Sequence, residues 1–451
     1  MILHLKPFED KLLRELLLEK EINVQAPCGG NGKCGKCKVK LLEGETLPSP
    51  DEEGFVLACK TKLLSECSFY IPTEEDYKVF SADKRADYAI CDIGTTNIKI
   101  CKYSKEGEMV YSCVFRNPQF AYGADVISRI SRCKNGGYIK LSEILRKGIS
   151  KWLEDVNIVY ICGNPTMLHF MANEDPSSIG IYPFRPAFVD TKYLKKEETG
   201  YKFNMVLLPS VSGYVGSDAV CCIYSAYEKN KNILIADLGT NGEISLLKNE
   251  EIYSVTTAAG PAIEGAGIEM GLCGGDGVIY HVDSNGNPEF QGEEAKGING
   301  SGLISLISYL LENGKLSAEG KLMDERYYIT EKVYISNKDI SEFMLAKSAV
   351  KTAINLLLEE TKTSYEDLDL LILTGGVCGD LDIKSAVNTG LLPKELKEKT
   401  VFIPDFAMCG AHTAIAKNDV SHLEEISKKV KVIPLSDNEK FEEEFIMNTF
   451  F

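Results

Sequence analysis

The sequence lacks an excess of basic residues. Its 451 residues include 50 lysines and arginines against 66 aspartates and glutamates, so the formal net charge is −16 at pH 7. Binding to nucleic acid requires a positively charged surface, and this charge balance argues against nucleic acid as a main partner. The sequence also lacks an apolar run long enough to cross a bilayer, so we expect no association with a membrane.

The opening residues, MILHLKPFEDK, have no apolar core of the kind found in signal peptides. We therefore expect a protein that is not exported and that works in the cytoplasm. Cysteine, in contrast, is plentiful, with 15 residues. In a long chain without export, this number predicts reduced thiols and a metal site rather than a framework of disulfides. The length predicts two or three domains.

Three cysteines stand close together in APCGGNGKCGKC (26–37), and a fourth follows in LACK (57–60). Zinc sites usually pair two short cysteine knuckles, whereas here three cysteines share one loop and the fourth comes from a distant segment. The spacing matches the plant-type [2Fe–2S] pattern, with one additional residue in the first gap. We predict that this cluster is held by Cys28, Cys34, Cys37 and Cys59. A structural zinc site is the alternative, and Cys67 is interpreted as a spare thiol.

The residues around this cysteine loop also have a readable pattern. PFEDKLLRELLLEK (7–20) predicts an amphipathic helix, and CKVKLLEGE (37–45) predicts a strand. A helix, a cysteine loop and a strand in this order resemble the β-grasp ferredoxin domain, over residues 1–75. Only residues 1–5 precede the helix, where that family usually has a β-hairpin. Residues 76–87 are polar and charged, which predicts a linker.

An internal repeat follows this linker. YAICDIGTTNIKICKYS (88–104) and ILIADLGTNGEISLLKN (233–249) share the pattern D-[IL]-G-T-[TN] after a β-rich run. At the tip of a hairpin, N–H and O–H groups donate to phosphate oxygens, and an aspartate at the strand end holds Mg²⁺ through water. Two such turns, one in each half of the region, predict a nucleotide site.

A third glycine motif lies in the second half, where the strand LLIL (370–373) leads into TGGVCGD (374–380). With the two hairpins it resembles the acetate kinase/sugar kinase/Hsp70/actin superfamily, whose two ribonuclease-H-like halves close over ATP and Mg²⁺. The resemblance implies an α/β fold with a first half at residues 88–232 and a second half at 233–451, which includes a C-terminal docking segment. The implied loops are a first phosphate loop of Asp92, Gly94, Thr95 and Thr96, a second of Asp237, Gly239, Thr240 and Asn241, and an adenosine contact of Gly375 and Gly376.

Six longer motifs narrow the resemblance. They are GNPTMLHF (163–170), SGYVGSDAV (212–220), DLGTNGEI (237–244), AAGPAIEGAGIEMG (258–271), GINGSGLI (297–304) and VIPLSDNEKFEEEFI (432–446). Together they resemble the reductive activators of corrinoid-dependent methyltransferase systems, which carry an iron–sulfur domain ahead of an ATP-binding domain. The chain looks short for that family, which predicts that a linker or middle domain is missing. Asn299 stands where a cysteine is expected.

The resemblance implies an ATP-dependent reductive activator, which returns an inactive Co(II) corrinoid protein to Co(I) by one-electron transfer. Its implied partners are the corrinoid protein, a low-potential electron donor and a second copy of the chain in a possible homodimer. The candidate catalytic acids are Asp92, Asp237 and Glu243, of which Glu243 closely follows the second phosphate turn. Asp218 and Glu264 are further candidates, although a capped loop or a surface carboxylate explains each of them equally well.

Three other functions stay open on the sequence. An ATP-coupled activator of a dehydratase shares the nucleotide fold, but it holds a [4Fe–4S] cluster between two subunits and has no four-cysteine ferredoxin domain. A small-molecule kinase with a structural zinc domain needs a sugar or acyl pocket. A redox-sensing scaffold would bind nucleotide without turnover. His169, which lies among apolar residues, is interpreted as a core histidine rather than a cobalt ligand.

Overall fold

The structure is a computed structural model. It describes the chain except for residues 9, 21, 23, 25–29, 31, 33–34, 72–76, 83, 229, 273 and 377–380, and it describes the backbone alone at residues 77–79 and 436. The described residues form two compact units, Met1–Leu208 and Pro209–Phe451. Both units are mixed α/β, as the sequence predicts. Among the described helices, none combines the length and apolar character that crossing a bilayer requires.

The first unit begins with a small antiparallel sheet in the order β1-β6-β2-β4, beside which β3 and β5 form a separate pair. The strands are β1 (Ile2–Leu5), β2 (Lys38–Glu43), β3 (Thr46–Leu47), β4 (Phe55–Leu57), β5 (Lys62–Leu63) and β6 (Cys67–Tyr70). Where a β-hairpin is usual in ferredoxins, β1 is a single strand that pairs with β6. This pairing covers the edge of β6 and so completes the sheet.

The helix predicted over residues 7–20 is shorter in the structure, α1 (Leu13–Glu19). The reason is its N-terminus: the backbone is extended at Leu12, whose N–H donates to the Glu15 carboxylate at 2.8 Å. This bond satisfies a donor that the first helical turn leaves unpaired. Leu13 and Leu17 are fully buried in the core of the small sheet, whereas Phe8, which the longer helix would have buried, is half exposed.

A seven-stranded sheet, in the order β12-β13-β11-β8-β9-β10-β7, forms the rest of the first unit. Its strands are β7 (Tyr77–Ser81), β8 (Tyr88–Ile93), β9 (Asn97–Tyr103), β10 (Met109–Arg116), β11 (Ile158–Gly163), β12 (Lys192–Leu194) and β13 (Asn204–Leu207). Its helices are α2 (Val126–Ile130), α3 (Gly137–Ser150), α4 (Pro165–Ala172) and α5 (Lys196–Thr199). The linker predicted at 76–87 is therefore partly wrong, because β7 pairs with the edge strand β10. β7 is the last strand of this sheet, so one side of its hydrogen-bonding ladder has no partner strand in the sheet.

The second unit contains a six-stranded sheet in the order β23-β22-β14-β15-β16-β24. The strands of the unit are β14 (Ile233–Leu238), β15 (Gly242–Lys248), β16 (Glu251–Thr257), β17 (Val278–Val282), β18 (Pro288–Phe290), β19 (Gly297–Ile298), β20 (Arg326–Tyr328), β21 (Tyr334–Ser336), β22 (Leu370–Thr374), β23 (Thr400–Phe402) and β24 (Val430–Val432). Its helices are α6 (Ser217–Ala226), α7 (Gly300–Glu312), α8 (Asn337–Glu360), α9 (Ile383–Asn388), α10 (Phe406–Ala416), α11 (Val420–Lys429) and α12 (Phe441–Met447).

The two large sheets share a strand order. In each, an antiparallel meander comes first, β8-β9-β10 in one unit and β14-β15-β16 in the other. Two further strands then extend the sheet in parallel from its first strand, β11 and β13 or β22 and β23. Each D-[IL]-G-T turn therefore joins the first two strands of its sheet. A duplication of the whole half stays a prediction.

The division between the units falls earlier than the predicted boundary at 232/233. Helix α6 belongs to the second unit, where it packs against α10. The two helices approach closely at Gly410, where an added Cβ would lie 1.9 Å from the Cys221 carbonyl oxygen. Cys221 and its neighbour Cys222 are buried at this contact, so both serve the core.

The C-terminal residues of the second unit pack along α8. The Asn355 amide donates to Glu444 of α12 at 3.0 Å, and the Asn448 amide donates to Thr352 at 3.0 Å. The ring of Phe451 stacks on Phe343, with centroids 6.3 Å apart. These contacts extend the core of the second unit over the end of α8.

Candidate functional site

Two of the four predicted cluster ligands lie in the described part of the chain, and the fold brings them together. The Sγ atoms of Cys37 and Cys59 are 3.3 Å apart, and both residues are buried. Two thiolates about 2.3 Å from one tetrahedral metal ion lie roughly 3.8 Å apart, so this pair is close to the geometry that a shared metal requires. Cys28 and Cys34 lie outside the described residues.

Backbone hydrogen bonds hold this pair in place. The Ala58 N–H donates to the Cys37 carbonyl at 2.9 Å, which ties the turn that carries Cys59 to the start of β2. The first turn of α1 docks on the same turn, since the Arg14 N–H donates to the Ala58 carbonyl at 2.9 Å. The pair is therefore positioned by α1, by β2 and by the turn between β4 and β5.

The surroundings of the pair fit an iron–sulfur cluster. Gly30, in the cysteine loop, has a φ of +90°, and an added Cβ there would lie 2.9 Å from the Arg14 guanidinium. The Nε atom of Arg14 is buried and has no hydrogen-bond partner among the described residues. A buried N–H donor next to paired thiols suits a cluster, because sulfide and thiolate sulfur accept hydrogen bonds.

The charge of Arg14 responds to this environment. Burial lowers the pKa of its guanidinium, and the positive charge of Arg132 adds to that effect. The thiols of Cys59 and Cys37 act in the opposite direction. The Arg14 side chain also contacts residues that follow β10 of the seven-stranded sheet of the same unit. It donates to the carbonyl of Ala121, and its guanidinium lies 6.0 Å from the centre of the Tyr122 ring.

The first predicted phosphate loop is the turn between β8 and β9. Thr95 and Thr96 are buried there, and an added Cβ at Gly94 would lie 2.7 Å from the Asn97 carbonyl oxygen, so the turn is tight. Asp92 lies on β8, where it is paired with Lys99 of β9 and with Cys162 of β11. This arrangement matches the strand-end aspartate and the hairpin-tip hydroxyls that the sequence predicts.

Two buried side chains, Asn117 and Arg129, hold this loop in place by bonding its carbonyls. The Asn117 amide donates to the Gly94 carbonyl at 2.8 Å, and its N–H donates to the Thr96 carbonyl at 2.8 Å. Arg129 is fully buried and donates to the Thr95 carbonyl. Burial lowers the pKa of Arg129 to about 9, with Asp125 acting against that effect. Sequence reasoning missed Asn117 and Arg129, and only the Asn-Pro helix-start signal at 117–118 hinted at either.

The second predicted phosphate loop lies between β14 and β15 and is closed by a hydrogen bond of 3.0 Å from the Gly239 N–H to the Asn241 carbonyl. Thr240 is buried in this turn, and its hydroxyl donates to Glu264 at 2.7 Å. Asp237 on β14 is paired directly with Glu243 on β15, so the two carboxylates lie on the same face of the sheet, beside the turn. The second turn thus gathers hydroxyl and carboxylate groups that suit a hydrated Mg²⁺.

The glycines predicted to contact adenosine lie beside this turn. Gly375 has a φ of +101°, and an added Cβ would lie 2.4 Å from the Asp237 carboxylate. At Gly376, an added Cβ would lie 1.9 Å from Oε1 of Glu264. The structure therefore brings Asp237, Glu264 and both glycines together, and it favours a role at the site for Glu264. The remaining residues of this motif, 377–380, lie outside the described residues.

Asp218 is in the first turn of α6, and Asn299 is the residue before α7. Burial raises the pKa of the Asp218 carboxyl to about 6, against the opposing hydrogen bond from the Ala219 N–H at 2.9 Å. A carboxyl that titrates near neutral pH is suited to accept a proton.

Asn299, where the family resemblance suggested a cysteine, caps α7, and its side chain accepts from the Gly302 N–H at 2.9 Å.

His169 is a core residue, as the sequence predicts. Its Nδ1 lies 2.7 Å from the Pro165 carbonyl, and its Nε2 accepts from the Ala187 N–H at 2.9 Å. Burial lowers its pKa, and the ring stacks on Phe188. Both ring nitrogens are engaged in the fold.

Comparisons with known proteins bear on this fold and these sites. Three family models match the chain in sequence: "2Fe-2S iron-sulfur cluster binding domain" over residues 6–64, "RACo middle region" over 88–229, and "C-terminal domain of RACo the ASKHA domain" over 231–451. The chain is thus a 2Fe-2S protein with an ASKHA domain. Of the two alternatives for the short chain, a missing middle domain is wrong, because the middle region is matched, and a missing linker stays a prediction.

Named relatives agree with these matches. The chain is 29% identical over 434 residues to the corrinoid activation enzyme RamQ of Eubacterium limosum, which covers 85% of this chain and 72% of that protein. It is 24% identical over 326 residues to the [Co(II) methylated amine-specific corrinoid protein] reductase of Methanosarcina barkeri, covering 62% and 59% of the two chains. A solved structure titled "Reductive activator for corrinoid,iron-sulfur protein" has the same fold, with a TM-score of 0.74, 22% identity, and coverage of 98% and 96%.

The chain belongs to the RACo family, since models of that family match both its middle and its C-terminal regions. The ASKHA description covers residues 231–451, which contain the second predicted phosphate loop and the glycines predicted to contact adenosine. Residues 88–229, with the first phosphate loop, match the middle region. A nucleotide-binding role for the first loop therefore stays a prediction.

Proposed function

We propose that this protein is an ATP-dependent reductive activator, which returns the cobalt of a corrinoid protein from Co(II) to Co(I). The observation that carries the proposal is the presence, in one chain, of the buried Cys37–Cys59 sulfur pair and of the second phosphate loop with its glycines. The first is suited to electron transfer and the second to ATP. The two named relatives have functions of the same kind.

The reaction is a one-electron reduction of the partner's cobalt, balanced by an electron from an external low-potential donor. Co(I) forms at a potential below that of ordinary donors, so electron transfer alone runs uphill. Hydrolysis of ATP to ADP and phosphate supplies the missing free energy, and binding of ATP is able to shift the protein between two conformations. Hydrolysis then resets the protein for the next turnover.

In this proposal, Cys28, Cys34, Cys37 and Cys59 hold the [2Fe–2S] cluster. The cluster, when bound, supplies a carrier of one electron at a time. Of the residues around it, Cys37 and Cys59 are buried, and Arg14 presents a buried N–H and a positive charge.

The two turns and the adenosine glycines form the proposed ATP contacts. Backbone N–H groups and hydroxyls of Gly94, Thr95 and Thr96, and of Gly239, Thr240 and Asn241, would donate to phosphate oxygens, while Gly375 and Gly376 would let the backbone approach the adenosine. Asp92, Asp237 and Glu243 would hold hydrated Mg²⁺ or orient the attacking water. The proposal also includes a low-potential electron donor, a possible homodimer and a cytoplasmic location.

The test is ATP-dependent reduction of a Co(II) corrinoid protein by the anaerobically purified chain. With a low-potential reductant, the absorption of Co(I) should grow only when both ATP and Mg²⁺ are present. The Cys37→Ala variant should lose the absorption and electron paramagnetic resonance (EPR) signals of reduced [2Fe–2S], and with them the activity. A colourless protein that carries one zinc ion would refute electron transfer, and reduction at full rate without ATP would refute the coupling.

A further inference from the structure

Arg14 joins the cysteine region to the neighbouring sheet of the same unit. Its backbone N–H donates to the Ala58 carbonyl, one residue before Cys59, at 2.9 Å. Its guanidinium reaches out to the carbonyl of Ala121, 107 residues away in sequence. Arg14 is thus bonded at its backbone to the turn that carries Cys59 and at its side chain to Ala121. A displacement of the segment that contains Ala121 therefore moves the Arg14 side chain beside this turn.

Ala121 lies in a short 3₁₀ segment, Pro118–Tyr122, whose two flanks hold the first phosphate loop. On one side, Asn117 bonds the carbonyls of Gly94 and Thr96 at 2.8 Å each. Its side chain also accepts from the Gln119 N–H at 2.9 Å, so the loop and the segment share one residue.

On the other side, Arg129 makes the same connection. Its guanidinium donates to the Thr95 carbonyl in the loop, to the Gln119 side chain at 3.1 Å and to the Gly123 carbonyl at 2.9 Å. Gln119 is fully buried and is fixed in turn by a bond of 3.0 Å to the Leu141 carbonyl. The bonds of Arg129 are therefore buried and shared between the loop and the segment.

We propose that residues 117–123, which Arg14 contacts at Ala121 and Arg129 contacts at Gln119 and Gly123, form a relay that couples occupation of the first phosphate loop to the redox state of the cluster. The relay rests on the proposed function, because it requires nucleotide at this loop and a cluster at the cysteines. Arg14 acts in it as a positioning residue. Nucleotide shifts the loop carbonyls that Asn117 and Arg129 hold, the segment follows, and Arg14 changes its position relative to Cys37 and Cys59.

Coupling of this kind is reciprocal. If nucleotide changes the free energy of reducing the cluster, then reduction changes the affinity for nucleotide by the same free energy. We expect the affinity to differ about tenfold between the oxidised and the reduced protein, and for a one-electron couple a tenfold factor equals a shift of about 59 mV in the reduction potential. Both quantities are measurable without the corrinoid partner.

The experiment uses the full-length protein with its cluster. Binding of a non-hydrolysable ATP analogue with Mg²⁺ is measured by calorimetry under anaerobic conditions, before and after reduction with dithionite. The reduction potential is measured by EPR-monitored titration with and without the analogue. The Arg14→Met variant should bind the analogue with equal affinity in both redox states, and its potential should no longer respond to the analogue.

Two further variants complete the design. Gln119→Met removes one of the two bonds between Arg129 and the segment, while the bond to Gly123 and the contact of Arg14 with Ala121 stay, so it should reduce the difference. It decides the question if Arg14→Met fails to fold or to hold a cluster. Arg146→Met is the matched control, because Arg146 is another half-buried arginine of the same unit, placed over the Tyr201 ring at 5.0 Å. It should keep the difference of the wild type.

The outcomes separate the relay from the proposed function. A wild-type protein that binds the analogue equally well in both redox states overturns the relay and leaves the function intact. A wild-type protein that binds no analogue at all overturns the function on which the relay rests. An Arg14→Met variant or a Gln119→Met variant with the full wild-type difference overturns the path through residues 117–123.

Discussion

The carboxyl of Asp218 provides the sharpest test of the second unit. It lies in the first turn of α6, where burial raises its pKa from 3.8 to about 6. We expect the Asp218→Asn variant to be more stable than the wild type at neutral pH and slower in ATP hydrolysis. Asparagine keeps the side-chain oxygen that accepts from the Ala219 N–H, so the change removes a charge and little else.

The magnitude follows from the pKa. A shift from 3.8 to about 6 corresponds to at most about 3 kcal/mol, at roughly 1.4 kcal/mol per pH unit. Between these two values the folded chain keeps a proton that the unfolded chain has lost, so the free energy of unfolding falls as the pH rises. Above about pH 6 Asp218 is ionised in both states, and the free energy of unfolding is lowered by the full amount, at most about 3 kcal/mol. At about pH 5, it is lowered by roughly half of that amount.

The assay is urea unfolding of the full-length protein, followed by circular dichroism under anaerobic conditions at about pH 5 and about pH 8. Asp382→Asn is the matched control. Burial opposes ionisation of Asp382, but the hydrogen bonds from Ser385 outweigh it and lower its pKa. A lowered pKa stabilises the fold above the unfolded value of 3.8, and this contribution is lost as the pH falls. Asp382→Asn should therefore destabilise the fold at about pH 8, the opposite sign.

Two results would contradict the reasoning about Asp218 in different ways. If Asp218→Asn is no more stable than the wild type at about pH 8, the argument from burial is wrong. If it is more stable but hydrolyses ATP at the wild-type rate, the pKa argument holds and the catalytic role does not. As a general base, Asp218 should contribute about 100-fold to the rate.

Three further predictions concern the other residues of the sites. Cys59→Ala should abolish the visible absorption and EPR signal of the reduced cluster, whereas Cys67→Ala, whose thiol lies 3.3 Å from the Glu45 carbonyl, should keep both. Gly376→Ala should weaken nucleotide binding at least about tenfold in calorimetry, because its Cβ would lie 1.9 Å from Glu264; Gly274→Ala, with open space around the added atom, should bind normally. His169→Asn should lower the free energy of unfolding, measured in urea, by about 1–3 kcal/mol, because the Pro165 carbonyl and the Ala187 N–H lose their partners. It should leave cobalt reduction unchanged. A loss of reduction in a folded, cluster-loaded variant would instead support His169 as a cobalt ligand.

The turns of the site were readable in the sequence because their chemistry is local. A strand, an aspartate, a glycine and two hydroxyl or amide residues follow one another, and the structure places them at 92–96 and 237–241 between the first two strands of their sheets. The cysteine spacing was readable for the same reason. Its fourth member comes from a distant segment, but the structure brings Cys59 to 3.3 Å from Cys37.

What the sequence concealed depends on contacts between distant segments. The charged stretch at 76–87 suggested a linker. Only the pairing of β7 with β10 shows that its residues Tyr77–Ser81 form an edge strand of the sheet. Arg129 has no sequence signal, since an arginine in an amphipathic stretch is normally exposed. The bond between Thr240 and Glu264 was equally hidden, because 24 residues separate them and either residue alone has an ordinary surface explanation.

The bonds around the first phosphate loop explain why its support is made of arginine and asparagine. In each case the acceptor in the loop is a main-chain carbonyl, at Gly94, Thr95 or Thr96. The side-chain rotamers of the loop residues do not change such contacts, whereas a shift of the loop backbone changes them directly. A phosphate held by backbone N–H groups acts on the same peptide units. The planar guanidinium of Arg129 bonds the loop at Thr95 and the 117–123 segment at Gln119 and Gly123. Its donors lie in one fixed plane, which a lysine ammonium does not offer, so it transmits the displacement of the loop to the segment.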